Sequence, residues 1–206
     1  MMDYSLYLVA DADYAAGRGL AGLIEAAVEG GVTLVQLRAK SLAGGAFVRL
    51  GLAVAARLAT KGIPLLVNDR VDIALACGAA GVHLGQEDIP VPLARRLLGP
   101  GAIIGVSVNT PEEARRAEEE GADYVGAGPA YSTATKETPL PVLGPAGVGR
   151  VRRAVRLPVV AIGGISVASA AEMASAGADG VAVVSAILGA PDARAAASEL
   201  RKAFGR

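Results

Sequence analysis

Short apolar runs recur along the chain, separated by stretches in which apolar residues return every third or fourth position. The runs begin near Tyr4, Val32, Ile63, Gly81, Ile103, Tyr124, Pro158 and Val181. Leu65-Leu66-Val67, Val159-Val160-Ala161-Ile162 and Val181-Ala182-Val183-Val184 show no polar alternation, so each such strand is covered on both faces, as in a parallel sheet. Between the runs the period becomes helical. Residues 17–30 place Leu20, Leu23, Ile24, Ala27 and Val28 on one face and stop at Gly30-Gly31, and residues 47–59 repeat the pattern with Phe47, Leu50, Val54 and Leu58. Thr110-Pro111-Glu112-Glu113 supplies a capping hydroxyl, a proline at the first helical position and acids in the first turn, which predicts a helix running to Gly121. Ser166 to Gly177 repeats the design. Glu120-Gly121-Ala122-Asp123-Tyr124-Val125 and Ala176-Gly177-Ala178-Asp179-Gly180-Val181 are two copies of one helix-stop, strand-start junction.

Eight such units in 206 residues predict an α/β fold closed as a (β/α)8 TIM barrel, a single domain over residues 1–206. An open doubly wound sheet is the alternative. No linker, charge run or low-complexity stretch divides the chain. The longest segment without a period, residues 128–144, holds Pro129, Pro139 and Pro141 and reads as a mobile active-site loop.

Composition acts mainly by exclusion. Twenty acidic and twenty basic residues cancel, so no net field points to nucleic acid or an anionic membrane. No apolar stretch reaches a membrane span and no basic-then-apolar leader opens the chain, which predicts a soluble, cytoplasmic protein. Cys77 is the single cysteine, read as a small apolar residue packed in a helix; it allows no disulfide framework and no cysteine zinc site. The lysines are Lys40, Lys61, Lys136 and Lys202, and two of these four fall just after apolar runs.

Those trailing edges carry the chemistry. In a parallel barrel the carboxyl ends of all strands meet on one face, where active sites sit. Gln36, Arg38 and Lys40 alternate along one strand end and are expected to point the same way; two cations and an amide suit a diphosphate. Asp69 and Asp88 each follow a strand, and two carboxylates on adjacent strand ends suit Mg²⁺, which takes a couple of carboxylates with phosphate oxygens and water. Asp69 could instead cap the helix after it. Glu87 is expected to point away. His83, alone inside a strand, reads as a satisfied structural residue. Gly163-Gly164 before Ser166 lets backbone approach a ligand, and Ser185 is expected to end the eighth strand, so a phosphate site after strands seven and eight follows. Lys136, with the hydroxyls of Thr133 and Thr135, falls between the two anion sites, an arrangement for joining two phosphorylated small molecules.

Gln36-Leu37-Arg38-Ala39-Lys40, Val67-Asn68-Asp69-Arg70, residues 82–88 (VHLGQED), residues 128–136 (GPAYSTATK) and Ala161-Ile162-Gly163-Gly164-Ile165 together resemble the thiamine-phosphate synthase family, in order and over almost the whole chain. The resemblance implies an α/β barrel transferase that couples a hydroxymethylpyrimidine diphosphate to a thiazole phosphate and releases pyrophosphate. It implies that Gln36, Leu37, Arg38, Ala39, Lys40, Asn68, Ser107 and Lys136 hold the pyrimidine diphosphate. It implies that Thr133, Ala134, Thr135, Gly164, Val184 and Ser185 contact the thiazole phosphate. Asp69 and Asp88 match ligands of one Mg²⁺ per subunit. Arg38, Lys40, Ser107 and Lys136 match the catalytic positions of a dissociative reaction in which pyrophosphate leaves before the thiazole nitrogen captures the pyrimidinyl-methyl cation. One departure is Asn109, where relatives often carry histidine. Barrel relatives that act as thiazole tautomerases or regulatory binding proteins are the alternative. They tend to lose the metal carboxylates and diphosphate cluster that this chain keeps. A sugar-phosphate isomerase would explain Gly164 and Ser185 but leave Asp69 and Asp88 without purpose. Self-association into a homo-oligomer is compatible with the sequence.

Overall fold

The computed structural model describes residues 2–133, 135 and 139–205. Within them eight parallel strands close on themselves. The order is β1 (Leu6–Asp11), α1 (Leu20–Glu29), β2 (Leu34–Arg38), α2 (Gly44–Ala59), β3 (Leu65–Asn68), α3 (Val71–Cys77), β4 (Gly81–Leu84), α4 (Val91–Leu98), β5 (Ile103–Val108), α5 (Pro111–Glu119), β6 (Tyr124–Ala127), α6 (Gly144–Ala154), β7 (Val159–Ile162), α7 (Val167–Ser175), β8 (Gly180–Val183), α8 (Ser185–Leu188) and α9 (Ala193–Phe204). Each strand pairs with the next, and β8 returns to β1 through Leu6↔Val181, Tyr7↔Ala182 and Leu8↔Val183. That closure excludes the open doubly wound sheet. Among the described residues no helix is long and apolar enough to cross a membrane.

Among the boundaries that differ from the expectation are those of α2 and β8. α2 starts at Gly44 rather than Phe47, because Gly44 and Gly45 carry no apolar signal. β8 ends at Val183, so Ser185 opens the short helix α8 instead of closing the strand.

The repeated junction has a clear physical role. Asp123 Oδ2 accepts the Ile104 N–H at 2.7 Å and Arg95 Nη2 at 2.7 Å, and Asp179 Oδ2 accepts the Val159 N–H at 2.9 Å. The amide of each aspartate donates back to the carbonyl of that same neighbour, at 2.8 Å to Ile104 and 2.7 Å to Val159. Each helix stop thereby clasps the start of its strand to the start of the preceding one, and register follows.

Apolar side chains form two cores. The larger lies between sheet and helices and includes Leu8, Leu37, Val67, Val125 and Ala161. The smaller fills the barrel with Tyr4, Tyr7, Val9, Leu34, Leu66, Tyr124, Val160 and Ala182. Tyr124 spans this interior because β5 presents no side chain at Gly105, where an added Cβ would sit 2.0 Å from the Tyr124 Cζ. Gly105→Ala is therefore expected to destabilise by about 3 kcal/mol, the top of the usual overpacking range. Urea unfolding checks this, and an unchanged midpoint would mean that the ring has room to move.

Candidate active site

Strand parity aims Gln36 and Arg38 into the barrel mouth. Gln36 is buried and its Nε2 donates to Tyr7 Oη at 2.7 Å. Arg38 Nη1 contacts the carboxylate of Asp11, its register partner on β1. Asp11 is almost wholly buried, and its other oxygen accepts the N–H groups of Asp13 at 3.0 Å and Tyr14 at 3.1 Å. The guanidinium thus meets, through Nη1, a carboxylate that is itself fixed by a turn. Leu37 and Ala39 point the other way, into the sheet–helix core, and can offer a ligand only backbone. Lys40 lies beyond the strand end. Its N–H donates to Asp13 Oδ2 at 2.8 Å, and its ammonium contacts the Asp69 carboxylate. A hydrogen bond from Ser41 holds the Asp13 carboxyl below its ordinary range.

Asn68 ends β3 beside His83 of β4. Asp69 follows with φ 61°, the one positive φ at a non-glycine among the described residues. That left-handed backbone costs an ordinary residue roughly 1–2 kcal/mol, and such strain collects at functional sites. It is held by the Asp69 N–H donating to the His83 carbonyl at 2.8 Å. The N-cap of α3 is Arg70, without a side-chain cap, so the helix-capping alternative for Asp69 is not realised. Asp88 Oδ2 accepts the Gly85 N–H at 2.6 Å, and the Asp88 carboxyl reaches that of Asp69. Glu87 is exposed. Burial and then the charge of Asp69 push the Asp88 carboxyl above the usual range. Burial also pushes Asp69 upward, but hydrogen bonds from Lys40 and Asp88 outweigh it and leave that carboxyl lowered.

Two carboxylates forced together in this way fit a divalent cation. Among the described residues no three or more histidine, cysteine or acidic side chains converge on a metal position. A pair of carboxylates is the protein share that Mg²⁺ ordinarily takes, with phosphate and water filling its other positions.

Ser107 Oγ lies 2.9 Å from His83 Nε2, and the Ser107 carbonyl accepts Gln86 Nε2 at 2.7 Å. Asn109 is buried and its Nδ2 donates to the carbonyls of Gly128, at 2.9 Å, and Pro141, at 3.0 Å. It holds both ends of the loop that was expected to move.

Across the barrel, Gly163 and Gly164 take φ of 98° and 64°. A Cβ on Gly164 would lie 2.5 Å from the Ser132 carbonyl oxygen, so the closest neighbour of this glycine is the β6 loop. The Tyr131 N–H donates to the Gly163 carbonyl at 2.9 Å. The Thr135 N–H meets Thr133 Oγ1 at 3.2 Å. Val184 precedes α8 and Ser185 opens it; a short extra helix after the eighth strand recurs in phosphate-binding barrels. Ala134 and Lys136 lie outside the described residues.

Four residues of this region are not singled out by the sequence patterns above: Asp11, Tyr7, Tyr124 and, as a partner of Ser107, His83. The alternation Tyr7, Val9, Asp11 along β1 is the sequence signal that points Asp11 inward, in line with the two interior residues before it.

A sequence model described as thiamine monophosphate synthase matches residues 6–187. The chain belongs to that family. Thiamine-phosphate synthase of Albidiferax ferrireducens is 54% identical over 197 residues, 96% of this chain and 90% of that protein. The Moorella thermoacetica enzyme of the same name is 46% identical over 206 residues, covering 100% and 98%. Among solved structures, thiamine phosphate pyrophosphorylase from Pyrococcus furiosus superposes with a TM-score of 0.89 at 38% identity, covering 98% of this chain and 96% of that one. As a thiamine monophosphate synthase family member the chain is a transferase that forms thiamine phosphate. None of these relatives supports the tautomerase-like or regulatory alternative.

Proposed function

We propose that this chain joins a hydroxymethylpyrimidine diphosphate to a thiazole phosphate, with Mg²⁺ held by Asp69 and Asp88. The observation that carries the reading is the interleaving of cations and carboxylates over the ends of β2, β3 and β4, where Lys40 contacts Asp69 and Asp69 reaches Asp88. Bound there, the metal supplies positive charge against the diphosphate oxygens. Arg38 adds a planar donor fork fixed by Asp11. The Lys40 side chain is 57% exposed and can leave Asp69 for a phosphate. Asn68 and Ser107 line the same mouth, and we assign Lys136 to the diphosphate as well, from the family resemblance of residues 128–136. The carbon–oxygen bond to the diphosphate breaks with its electron pair on pyrophosphate, and the thiazole nitrogen lone pair forms the new carbon–nitrogen bond. No protein nucleophile is required, and Cys77 is buried in α3 behind the sheet. We assign the thiazole phosphate to Gly164, Val184 and Ser185, with Thr133 and Thr135 of the β6 loop, and Ala134 by its place in the sequence.

The test is pyrophosphate release from the two substrates with and without Mg²⁺. Release that is indifferent to the metal, or that needs no thiazole phosphate, would overturn the reading. Gly164→Ala is expected to raise KM for the thiazole phosphate about tenfold, the equivalent of one lost hydrogen bond, because the new methyl pushes the loop bearing Thr133 outward. KM for the pyrimidine substrate should stay within twofold; equal effects on both would count against two separate anion sites.

A further inference from the structure

Five side chains from five strands form one hydrogen-bonded chain through the barrel interior, and the residues placed at the substrate occupy only its two ends. Gln36 Nε2 lies 2.7 Å from Tyr7 Oη, Tyr7 Oη 2.9 Å from Tyr124 Oη, Tyr124 Oη 2.8 Å from His83 Nδ1, and His83 Nε2 2.9 Å from Ser107 Oγ. The barrel makes room for it. Gly105 leaves the volume that Tyr124 fills, and a Cβ on Gly126 would come within 3.1 Å of His83 Cε1.

With the Gln36 amide nitrogen toward Tyr7 and a neutral His83 ring, the chain runs in one direction. An amide nitrogen donates and cannot accept, and a phenol has a single hydrogen. Tyr7 accepts from Gln36, so its own hydrogen goes to Tyr124; the reverse would set the Tyr7 hydrogen against those of the amide. Tyr124 then donates to His83 Nδ1, which must carry no proton. The proton of the ring sits on Nε2 and is donated to Ser107. Having accepted there, Ser107 has its own hydrogen left to give outward. Both phenols keep the hydrogens this requires, because burial pushes them well above the ordinary tyrosine range. Reversing a link would leave buried groups facing like groups, at about 1–3 kcal/mol for each unsatisfied one.

We propose that Tyr7, Tyr124 and His83 are positioning residues that hold Ser107 as a hydrogen-bond donor toward the pyrimidine diphosphate. This rests on the reading above that Ser107 faces that substrate. A donor fixed in advance gains strength as negative charge builds on the departing group and needs no reorientation. A serine hydroxyl free to rotate would point its hydrogen at the substrate only part of the time.

His83 is the only histidine in the chain, so tag-free protein labelled with ¹⁵N-histidine gives one pair of ring signals. The expected spectrum has a proton-bearing Nε2 and a bare Nδ1. In Tyr124→Phe the bare Nδ1 loses its donor and its signal should move, with part of the ring population taking the proton on Nδ1. In coupling assays Tyr124→Phe should lower kcat about tenfold, the scale of one hydrogen bond, but less than twofold in a Ser107→Ala background. Tyr7→Phe leaves the Tyr124 donor in place and should have the smaller effect, and it serves as the second variant should Tyr124→Phe not fold. A proton on Nδ1 in the wild type, a doubly protonated ring, or an undiminished Tyr124→Phe loss in the Ser107→Ala background would each overturn the proposal. Full activity in Ser107→Ala would remove the Ser107 assignment and this inference with it. A wild-type protein without coupling activity would instead sink the proposed function, while the ring signals would still decide the direction of the chain.

Discussion

Asp88→Asn is expected to lose more turnover than the roughly 10–100-fold that outer-sphere metal partners cost, and to leave the barrel at least as stable as before. Two arguments meet in this variant. Asparagine keeps an oxygen for the Gly85 N–H, so the loop after β4 retains its hydrogen bond. The negative charge disappears, and with it the repulsion from Asp69. The Asp88 carboxyl is raised above its unfolded value by burial and by Asp69. A raised acid favours the folded state only while protonated and opposes it once pH passes the ordinary carboxylate range. At neutral pH, without metal, removing the charge should therefore maintain or raise the unfolding temperature. Asp69→Asn should lose as much activity, and high Mg²⁺ should rescue both in part. The same direction of shift predicts that the Mg²⁺ requirement of the wild type rises as pH falls toward the elevated Asp88 value, before ordinary carboxylates begin to titrate. Kinetics over a magnesium series, paired with thermal unfolding of the metal-free protein, test this. Near-normal turnover of both variants at low Mg²⁺ would remove the metal assignment.

Arg38→Met should lower kcat by about 10²–10³-fold, as loss of a fixed charge-stabilising donor does elsewhere. Arg38→Lys should recover little, because a point charge cannot reproduce a planar fork. This variant carries a second cost. Asp11, 3% exposed in its side chain, would be left buried without its cation, at roughly 3 kcal/mol. The double variant Asp11→Asn with Arg38→Met should regain most of that stability and none of the turnover. Urea unfolding beside coupling kinetics separates the two effects. Activity returning with stability would show that Arg38 serves the fold alone.

The barrel was legible because several strands, β3, β7 and β8 among them, are apolar runs rich in Val, Ile and Leu without polar alternation, and because glycine and capping residues mark where helices stop and start. Local signals of that kind survive in one dimension. The acidic pair and the alternating Gln36 and Arg38 were readable for a similar reason, since they stand in the last residues of β2 or in the segments that follow β3 and β4. Lys40 was expected on the same line as Arg38, but it arrives from the loop, beyond the reach of strand parity. Tyr7 and Tyr124 could not be read, because their roles come from closure of the sheet: β1 meets both β2 and β8, and Tyr124 crosses a space defined by a glycine on another strand. His83 was read as structural and is indeed satisfied by hydrogen bonds, yet one of its partners is a site residue.

The side chain of Asn109 has a different kind of consequence. By bonding the Gly128 and Pro141 carbonyls together, it turns the intervening segment into a ring closed at its neck. The size of such a ring is cheap to change, since doubling its length costs only about 0.6 kcal/mol in closure entropy. Insertions between Ser132 and Leu140 should therefore be accepted far more readily than any change at the neck. In an evolving lineage the tip could be rewritten for a different partner molecule while the barrel beneath it stays as it is.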